Sequence, residues 1–437
     1  MKHEKPETVQ TSRGRSVLVQ IEKPIYGGAF LARVEGKAMF VPLTLPGEEA
    51  RVRIVDEKRS FASAEPEEIV SAAPNRTAPG CRHFGMCGGC QYQHTDYETQ
   101  LRFKETILRE TLERGGVPAP EKIDVLAGDP WRYRNRIRLA LDSAGHLGYR
   151  ARRSHAIVPI TECLIAAPLL VDAALSAGEI LRSIKPALWP AEISLFSNAD
   201  ETELLVTLFV HNSGKQRIDR FAEALKQRIP AVTGIQLIAL DSTGQPAATI
   251  VEWGNGSLTY RAGGIDYQVV QGAFFQVNRW LLDKFIARVT DGRRGTLAWD
   301  LFAGVGLFAR RLAQSHKQVI AVESAPASTQ TLQKNLEGTA GEGVTASVSA
   351  FLKSKSSRSK PDLIVVDPPR TGLGGEVSSL LAGVGAPTLV YVSCDPATLA
   401  RDLRTLVGAG YSVASIALAD LFPQTFHLET VVELQRS

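Results

Sequence analysis

Residues 297–302 read LAWDLF, and residues 319–323 read VIAVE. Near-continuous apolar runs of this kind are typical of parallel strands that are buried on both faces. Segments with helical spacing of apolar residues lie between the runs. Similar runs recur further along the chain, at residues 363–367 and 388–393 and in a final pair at 411–418 and 430–434. Residues 271–437 are therefore predicted to form a doubly wound α/β domain.

The turn after the first of these strands carries a Gly-x-Gly motif. Gly304 and Gly306 lack side chains and let the backbone approach a ligand closely. Glu323 ends the next strand, where a carboxylate can accept hydrogen bonds from two ribose hydroxyls. The third glycine of the dinucleotide fingerprint is missing, and Asp300 leads the motif. This pattern favours S-adenosylmethionine over a nicotinamide cofactor, the alternative being a tight turn without a ligand.

Cys394 directly follows the fourth apolar run. Asp395 and Pro396 come next and suit the N-cap and the first position of a helix. The thiol is therefore expected at the carboxyl end of a parallel strand, where open α/β sheets bind ligands. Because a helix N-terminus stabilises a thiolate, we expect a lowered thiol pKa; the alternative is an inert buried cysteine.

Other chemically active groups are predicted at the same sheet edge. Asp367 ends one strand, Glu429 precedes the last strand, and Phe274 and Gln276 precede the first helix of the domain. A thiolate that adds to carbon 6 of uracil activates carbon 5, and a base must later remove the carbon-5 proton. We predict Cys394 as the nucleophile and Glu429 as the base. Asp367 and Gln276 would donate or accept hydrogen bonds, and Phe274 would stack on a base.

A basic segment lies at residues 131–138, WRYRNRIR. Its arginines alternate, and a spacing of two on a strand places all of them on one face. A one-sided arginine face suits contacts with phosphates, the alternative being a solvated strand face. We predict substrate contacts from Arg132, Arg134 and Arg136, with Arg138 in the same row.

The N-terminal part of the chain has a different pattern. Residues 8–70 contain short strands separated by glycine-containing turns, which predicts a small β-barrel or sandwich. Residues 95–115 predict a helix, with a capping box at Thr95–Glu98 and a stop at Gly115.

Taken together, the motifs closely resemble the RNA uracil-C5 methyltransferases. The matching segments, in chain order, are FFQVN (274–278), DLFAGVG (300–306), DPPR (367–370), SCDP (393–396) and HLET (427–430). The resemblance covers most of the chain and implies an RNA-binding, OB-like TRAM domain at 8–70. It implies Cys394 as nucleophile and Glu429 as base. It further implies S-adenosylmethionine contacts from Gln276, Phe302, Glu323 and Asp367, and a helix 95–115 packed on the catalytic domain.

Two departures from the family pattern concern the adenosine site. Leu307 stands where many members have Asn after the second glycine. The third strand region, residues 344–352, lacks the usual Asp or Asn, and Ser347 and Ser349 are the polar substitutes. We expect differently satisfied adenosine contacts rather than loss of the site.

The cysteines divide into a cluster and single residues. Cys81, Cys87 and Cys90 lie close together in the sequence, and Cys163 follows much later. Four thiolates suit either zinc or an iron–sulfur cluster, and spacing alone does not separate the two. In the family this spacing marks members with a 4Fe-4S cluster, so the resemblance implies a structural 4Fe-4S cluster, with zinc as the alternative.

The composition agrees with a globular RNA enzyme. The chain of 437 residues has 44% hydrophobic and 22% charged residues and a formal net charge of +4. It lacks both an apolar run of about 20 residues and a secretory leader, so no membrane association and a cytoplasmic location are expected. We predict three domains: a barrel at 8–70, a central cluster-bearing α+β RNA-binding domain at 75–270 and the catalytic domain at 271–437.

The predicted activity is uridine C5 methylation by a monomer, in ribosomal RNA rather than transfer RNA. One alternative is an RNA cytosine-C5 methyltransferase, which usually has a cysteine beside the proline of the DPPR segment; here residues 367–370 contain none. Another is a non-catalytic iron–sulfur RNA-binding protein.

Overall fold

The structure is a computed structural model in which residues 14–185, 189–211, 218–354 and 359–436 are described. Residues 8–13 of the predicted barrel lie outside the described residues. The chain divides into two compact units, the first comprising Met1–Gly85, Gly89–Ile107 and Gln424–Phe426, and the second Met86–Gly88, Leu108–Pro423 and His427–Ser437. The three predicted domain boundaries stay predictions. Among the described helices, none is long and apolar enough to cross a membrane.

The first unit contains a closed five-stranded barrel, which confirms the predicted barrel. Its strands, in spatial order, are β1 (Ser16–Pro24), β2 (Ala29–Val34), β3 (Lys37–Pro42), β5 (Phe61–Ser71) and β4 (Glu49–Glu57). Along β4, Ala50, Val52 and Ile54 are buried while Arg51 and Arg53 face solvent, the alternation of a strand with one buried face. β5 was not predicted, because its inward positions are alanines and its sequence is rich in glutamate.

A buried carboxylate fastens the barrel to the segment that follows it. Glu48 is fully buried and accepts hydrogen bonds from the Leu45 and Ala73 amides and from the Arg76 guanidinium. Burial alone would raise the pKa of Glu48, but these hydrogen bonds and the nearby Arg76 cation hold it below its ordinary value.

The predicted helix at 95–115 is present as α1 (Tyr97–Arg114). Its cap differs from the predicted capping box, because Asp96 rather than Thr95 accepts the Thr99 amide, at 2.8 Å. Residues of α1 up to Ile107 belong to the first unit, and those from Leu108 onward belong to the second. A short strand, β6 (Asp124–Leu126), follows.

The second unit contains two large sheets. The first has seven strands, in the spatial order β13 (Pro246–Gly254), β12 (Val232–Leu240), β11 (Leu204–Val210), β10 (Glu192–Ser197), β7 (Arg136–Leu141), β8 (Leu147–Arg150) and β9 (Ile157–Pro159). Helices α2 (Pro168–Ile184) and α3 (Asp219–Arg228) share a hydrophobic core with this sheet. A hairpin of β14 (Ser257–Ala262) and β15 (Ile265–Val270) follows in the chain.

The second sheet has eight strands and confirms the predicted doubly wound fold. In spatial order they are β18 (Gly341–Thr345), β17 (His316–Glu323), β16 (Gly295–Leu301), β19 (Leu363–Val366), β20 (Thr388–Ser393), β22 (Glu429–Arg436), β21 (Tyr411–Ala419) and β6. The helices between them are α4 (Leu282–Thr290), α5 (Leu307–Leu312), α6 (Pro326–Leu336), α7 (Val348–Lys353), α8 (Gly374–Val384) and α9 (Pro396–Gly408). Strands β18, β17, β16, β19 and β20 run parallel to one another. Strand β22 lies between β20 and β21 and runs antiparallel to both.

Two features of this sheet were not predicted. β22 is inserted between β20 and β21, and β6, from a distant part of the sequence, pairs with β21 through Ala417 and Asp124. The end of α1 also lies in this unit: a β-carbon at Gly115 would come within 2.6 Å of the Ala400 side chain on α9.

Candidate functional site

The ends of neighbouring strands bring the predicted site residues to one edge of the eight-stranded sheet. Glu323 ends β17, Phe302 follows β16, Asp367 follows β19 and Cys394 follows β20. Because these strands are parallel and adjacent, their carboxyl ends meet at the same edge. Glu429 begins the antiparallel β22 and therefore lies at that edge as well.

The register of β20 and β22 sets Cys394 opposite Glu429. Ser393 pairs with Thr430, so the next positions along the two antiparallel strands are Cys394 and Glu429. Directly opposed residues of an antiparallel pair have Cα atoms about 4.5–5.5 Å apart. The thiol is half-buried and the Glu429 carboxyl is almost completely buried, with 4% exposure.

Electrostatics at this edge differ from the prediction. The Cys394 pKa is raised to about 12, by burial first and then by the Glu429 and Asp367 carboxylates, whereas Arg370 acts in the opposite direction. The expectation of a lowered thiol pKa was therefore wrong, because burial and two carboxylates outweigh the helix N-terminus. Burial also raises the Glu429 pKa well above its ordinary value, with a further contribution from Asp367.

Asp367 and Asp300 form a second pair of perturbed carboxyls. Burial, and then the neighbouring Asp300, raises the pKa of Asp367 to about 7. Burial, and a smaller effect of Glu323, raises that of Asp300 to about 7 as well. Asp300 is fully buried and accepts the Ala309 amide at 2.8 Å, which ties the end of β16 to the first turn of α5.

The Glu323 carboxylate accepts hydrogen bonds from the Gly-x-Gly loop and from the two residues that follow Glu323. Its Oε2 accepts the Gly304 amide at 2.9 Å, and Oε1 accepts the Ser324 and Ala325 amides at 2.6 and 2.7 Å. Phe302, Gly304 and Gly306 have left-handed backbones with φ of 65°, 55° and 91°. A left-handed conformation is strained for a residue such as Phe302, and such strain concentrates at ligand-binding turns.

Asn335 on α6 was not singled out in the sequence, although it supports this loop. It is 1% exposed, and its amide donates to the Val305 and Gln268 carbonyls, each at 2.9 Å. Most residues of α6 are polar, so its sequence carries no pattern that singles out this asparagine. Leu307, where the family often has Asn, is buried and its carbonyl accepts the Tyr267 hydroxyl at 3.0 Å.

The two proposed serine substitutes are already engaged. Ser347 Oγ accepts the Ala350 amide at 3.2 Å and caps α7, and Ser349 hydrogen-bonds Glu376. Both serine side chains therefore already form hydrogen bonds with other residues of the protein.

The loop before α4 carries Phe274 and Gln276. Phe274 is 62% exposed, whereas Gln276 is 5% exposed. Asn135 donates to the Gln276 carbonyl and Arg136 donates to the Ala273 carbonyl, both at 2.9 Å. These two hydrogen bonds fix the loop to the segment around β7.

The predicted single arginine face is wrong. β7 begins only at Arg136, and Arg132 has a left-handed backbone with φ of 50°. The Arg136 guanidinium lies over the Phe196 ring, 4.1 Å from its centre, and burial lowers its pKa to about 10. Arg138 is paired with Glu192 and lies over Phe209. Of the three predicted RNA contacts, Arg132 is exposed, whereas Arg134 and Arg136 are half-buried.

The predicted metal ligands are all half-buried, and no disulfide is present among the five cysteines. Cys81 and Cys90 belong to the first unit, and Cys87 and Cys163 to the second. In the second unit Cys163 Sγ lies 3.8 Å from the Tyr149 hydroxyl, and Cys87 acts electrostatically on the same tyrosine. Within the described residues, no group of three or more His, Cys, Asp or Glu side chains is arranged to hold a metal ion.

A known structure identifies the fold class. The crystal structure of Pyrococcus abyssi tRNA (uracil-54, C5)-methyltransferase, in complex with S-adenosyl-L-homocysteine, superposes with a TM-score of 0.76. It is 24% identical and covers 96% of this chain and 100% of its own. The chain therefore has the fold of this class of methyltransferases.

Sequence comparisons then identify the family. The family model described as tRNA (Uracil-5-)-methyltransferase matches residues 171–350 and 353–437, and the TRAM domain model matches residues 10–66. A 23S rRNA (uracil(1939)-C(5))-methyltransferase of Halomonas elongata is 34% identical over 97% of this chain and 90% of its own length. An uncharacterized RNA methyltransferase of Thermotoga maritima is 31% identical over 95% and 98%. The chain belongs to the uracil-C5 methyltransferase family, and its methyl donor is S-adenosylmethionine.

The position of Arg370 predicts a change in pH dependence. Its cation favours the ionised forms of Cys394 and Glu429, so Arg370→Met should raise both pKa values further. We expect the acidic limb of the pH–rate profile, measured for methyl transfer with saturating substrates, to move upward by roughly half to one pH unit. Arg261→Met is the control, because that side chain is 74% exposed, and it should leave the profile unchanged. An unshifted Arg370→Met profile, or one moved to lower pH, would contradict the proposed electrostatic role.

Proposed function

We propose that this protein transfers the methyl group of S-adenosylmethionine to carbon 5 of a uridine in RNA, with ribosomal RNA as the substrate. The observation that carries the proposal is that Cys394 and Glu429 directly follow and precede the paired residues Ser393 and Thr430, and that the Glu429 carboxylate acts electrostatically on the Cys394 thiol. Uracil C5 methylation requires a nucleophile and a base that act on the same ring. The choice of ribosomal RNA is supported by the Halomonas elongata relative and by related enzymes of the same name from Shewanella frigidimarina and Salmonella typhimurium.

Cys394 acts first, as the nucleophile. Its thiolate adds to carbon 6 of the uracil, and the electron pair of the 5,6 double bond moves towards the carbonyl oxygen to give an enolate. Because its pKa is raised, the Cys394 thiol must lose its proton to solvent when the uracil binds. Arg370 stabilises the thiolate at that stage. When bound, S-adenosylmethionine would supply an electrophilic methyl group to carbon 5, and its sulfur would keep the electron pair of the broken carbon–sulfur bond.

Glu429 acts second, as the base. Its carboxylate removes the carbon-5 proton, and the electron pair left on carbon 5 expels the Cys394 sulfur from carbon 6, which restores the double bond. Once Glu429 has lost its own proton to solvent, which the Arg370 cation favours, a carboxylate with a raised pKa is a stronger base than an ordinary glutamate. The burial that raises the Glu429 pKa thus serves the elimination step.

The methyl donor is assigned to the loop between β16 and α5. Glu323 receives three backbone amides, and a carboxylate has about four acceptor positions, so capacity remains for a ribose hydroxyl. Gly304 and Gly306 leave the backbone accessible to the ligand. Phe302, Gln276 and Asp367 complete the proposed cofactor contacts.

RNA contacts are assigned to the exposed side chains. Phe274 stacks on a base, and Arg132 contacts a phosphate. Arg134 and Arg136 are half-buried and are assigned a supporting role. Arg136 donates a hydrogen bond to the carbonyl of Ala273, the residue before Phe274.

We also propose a 4Fe-4S cluster held by Cys81, Cys87, Cys90 and Cys163. The chemistry of the donors supports the proposal, because all four are thiols outside disulfides. A second observation is the Arg134 Nε, which is buried and has no hydrogen-bond partner among the described residues. Arg134 acts electrostatically on Cys163, so a sulfur-ligated anionic cluster would supply both an acceptor and a countercharge. The cluster would have a structural role.

Replacing the base should trap the covalent intermediate. In Glu429→Gln the thiol still adds to carbon 6 and carbon 5 is still methylated, but elimination fails because an amide does not accept the carbon-5 proton. We expect product turnover to fall by about a hundredfold or more, and an RNA–protein adduct to accumulate that resists denaturing electrophoresis. The control is Glu433→Gln, on the same strand but paired with Arg293, which should keep turnover. Normal turnover by Glu429→Gln would exclude Glu429 as the base.

Substitution of a proposed ligand tests the cluster. Cys163→Ser, purified without oxygen, should lose most of its iron and its visible absorption, because a hydroxyl is a poor ligand for iron–sulfur clusters. Cys394→Ser serves as the control, since it removes a half-buried thiol that is not a proposed ligand, and should retain the iron. Zinc in place of iron, or equal iron in both variants, would contradict the assignment.

A further inference from the structure

Trp280 is an exposed aromatic side chain with a buried cation beneath it. The indole is 45% exposed, whereas the Arg279 side chain is 4% exposed and its guanidinium lies 4.2 Å from the centre of the indole ring. One face of the indole therefore covers Arg279, and the solvent-exposed part consists of the opposite face and the ring edge.

The indole is held in place before any ligand arrives. Its Nε1 donates to the Trp131 carbonyl at 2.9 Å, and its backbone amide donates to Asn278 Oδ1 at 3.0 Å. Arg279 is itself fixed by an ion pair with Glu201 and by a hydrogen bond to the Arg132 carbonyl. A ligand that stacks on this ring loses little of its binding free energy to ordering the side chain.

The position and charge of this surface suit RNA. Trp280 is four positions after Gln276, so their Cα atoms lie within about 14 Å of each other. The Arg132 side chain is exposed, and Arg279 fixes its backbone. Glu201 neutralises the positive charge of Arg279, so the exposed positive charge beside Trp280 comes from Arg132. An aromatic face beside an exposed arginine is the combination that binds an unpaired nucleotide, through the base and the phosphate.

We propose that the outer face of Trp280 stacks on an unpaired base of the substrate RNA, next to the target uridine, while Arg132 contacts its phosphate. The inference rests on the proposed function for its RNA substrate, but it assigns a second base-binding position, separate from the one assigned to Phe274. Stacking is tolerant of sequence, so this position contributes affinity more than sequence selection.

The test compares Trp280→Ala, Trp280→Phe and Trp189→Ala in the full-length protein. Trp189 is the matched control, because it is a second exposed tryptophan, at 41% exposure, and it packs beside Gly145 and Arg182. The probe is a single-stranded RNA that contains unpaired uridines, and the readouts are its dissociation constant together with KM and kcat for methylation. We expect Trp280→Ala to raise the dissociation constant and KM roughly five- to a hundredfold with little change in kcat. Trp280→Phe should retain most of the affinity, and Trp189→Ala should match the wild type.

Indole fluorescence provides a second readout that does not depend on the alanine variant folding. RNA should quench the emission of wild-type protein, and Trp280→Phe should lose most of that quenching while still binding RNA. Wild-type affinity in Trp280→Ala, or undiminished quenching in Trp280→Phe, would overturn the proposal.

If the wild-type protein binds RNA through Trp280 without methylating it, the proposed function fails and the stacking site stands. If methylation is normal in all variants at subsaturating RNA, the stacking site fails and the proposed function stands.

Discussion

The pairing of Ser393 with Thr430 is the constraint on which the proposed chemistry depends. A parallel sheet places the ends of its strands at one edge, but Glu429 lies at the start of its strand, and it reaches that edge only because β22 runs antiparallel to β20. A shift of one residue in this register would turn the side chains of β22 to the opposite faces of the sheet. The doubly wound fold thus provides the edge, and the inserted strand brings the proposed base, Glu429, to the same edge as the Cys394 thiol.

The same edge concentrates acidic groups where water is scarce. Asp300, Asp367 and Glu429 all have raised pKa values, mainly through burial, and their mutual repulsion adds to the effect. Arg370 is the cation that opposes the shifts at Cys394 and Glu429. The proposed nucleophile, Cys394, is therefore held as a thiol near neutral pH, and the proposed base, Glu429, takes up a proton more readily than an ordinary glutamate.

Much of this arrangement could be predicted from sequence, because it depends on local patterns. Apolar runs located the central strands, and Glu323, Asp367 and Cys394 could be placed at one edge because each follows such a run. The electrostatics could not be predicted, since the Cys394 pKa depends on carboxylates from two other strands. The alternating arginines predict one strand face, but Arg132 has a left-handed backbone and β7 begins only at Arg136. The long-range pairing of β6 with β21, and the hydrogen bond from Asn335 to the Gly-x-Gly loop, have no local sequence pattern that predicts them.

The most direct measurement is mass spectrometry of the protein after incubation with S-adenosylmethionine and a substrate RNA that contains 5-fluorouridine. Fluorine at carbon 5 cannot leave as a proton does, so the elimination step stops after methylation. A covalent adduct should appear on the peptide that contains Cys394, with the mass of a methylated fluorinated nucleotide, and should be absent from Cys394→Ala. An adduct on any other residue, or full methylation of ordinary RNA by Cys394→Ala, would contradict the assignment of Cys394 as the nucleophile.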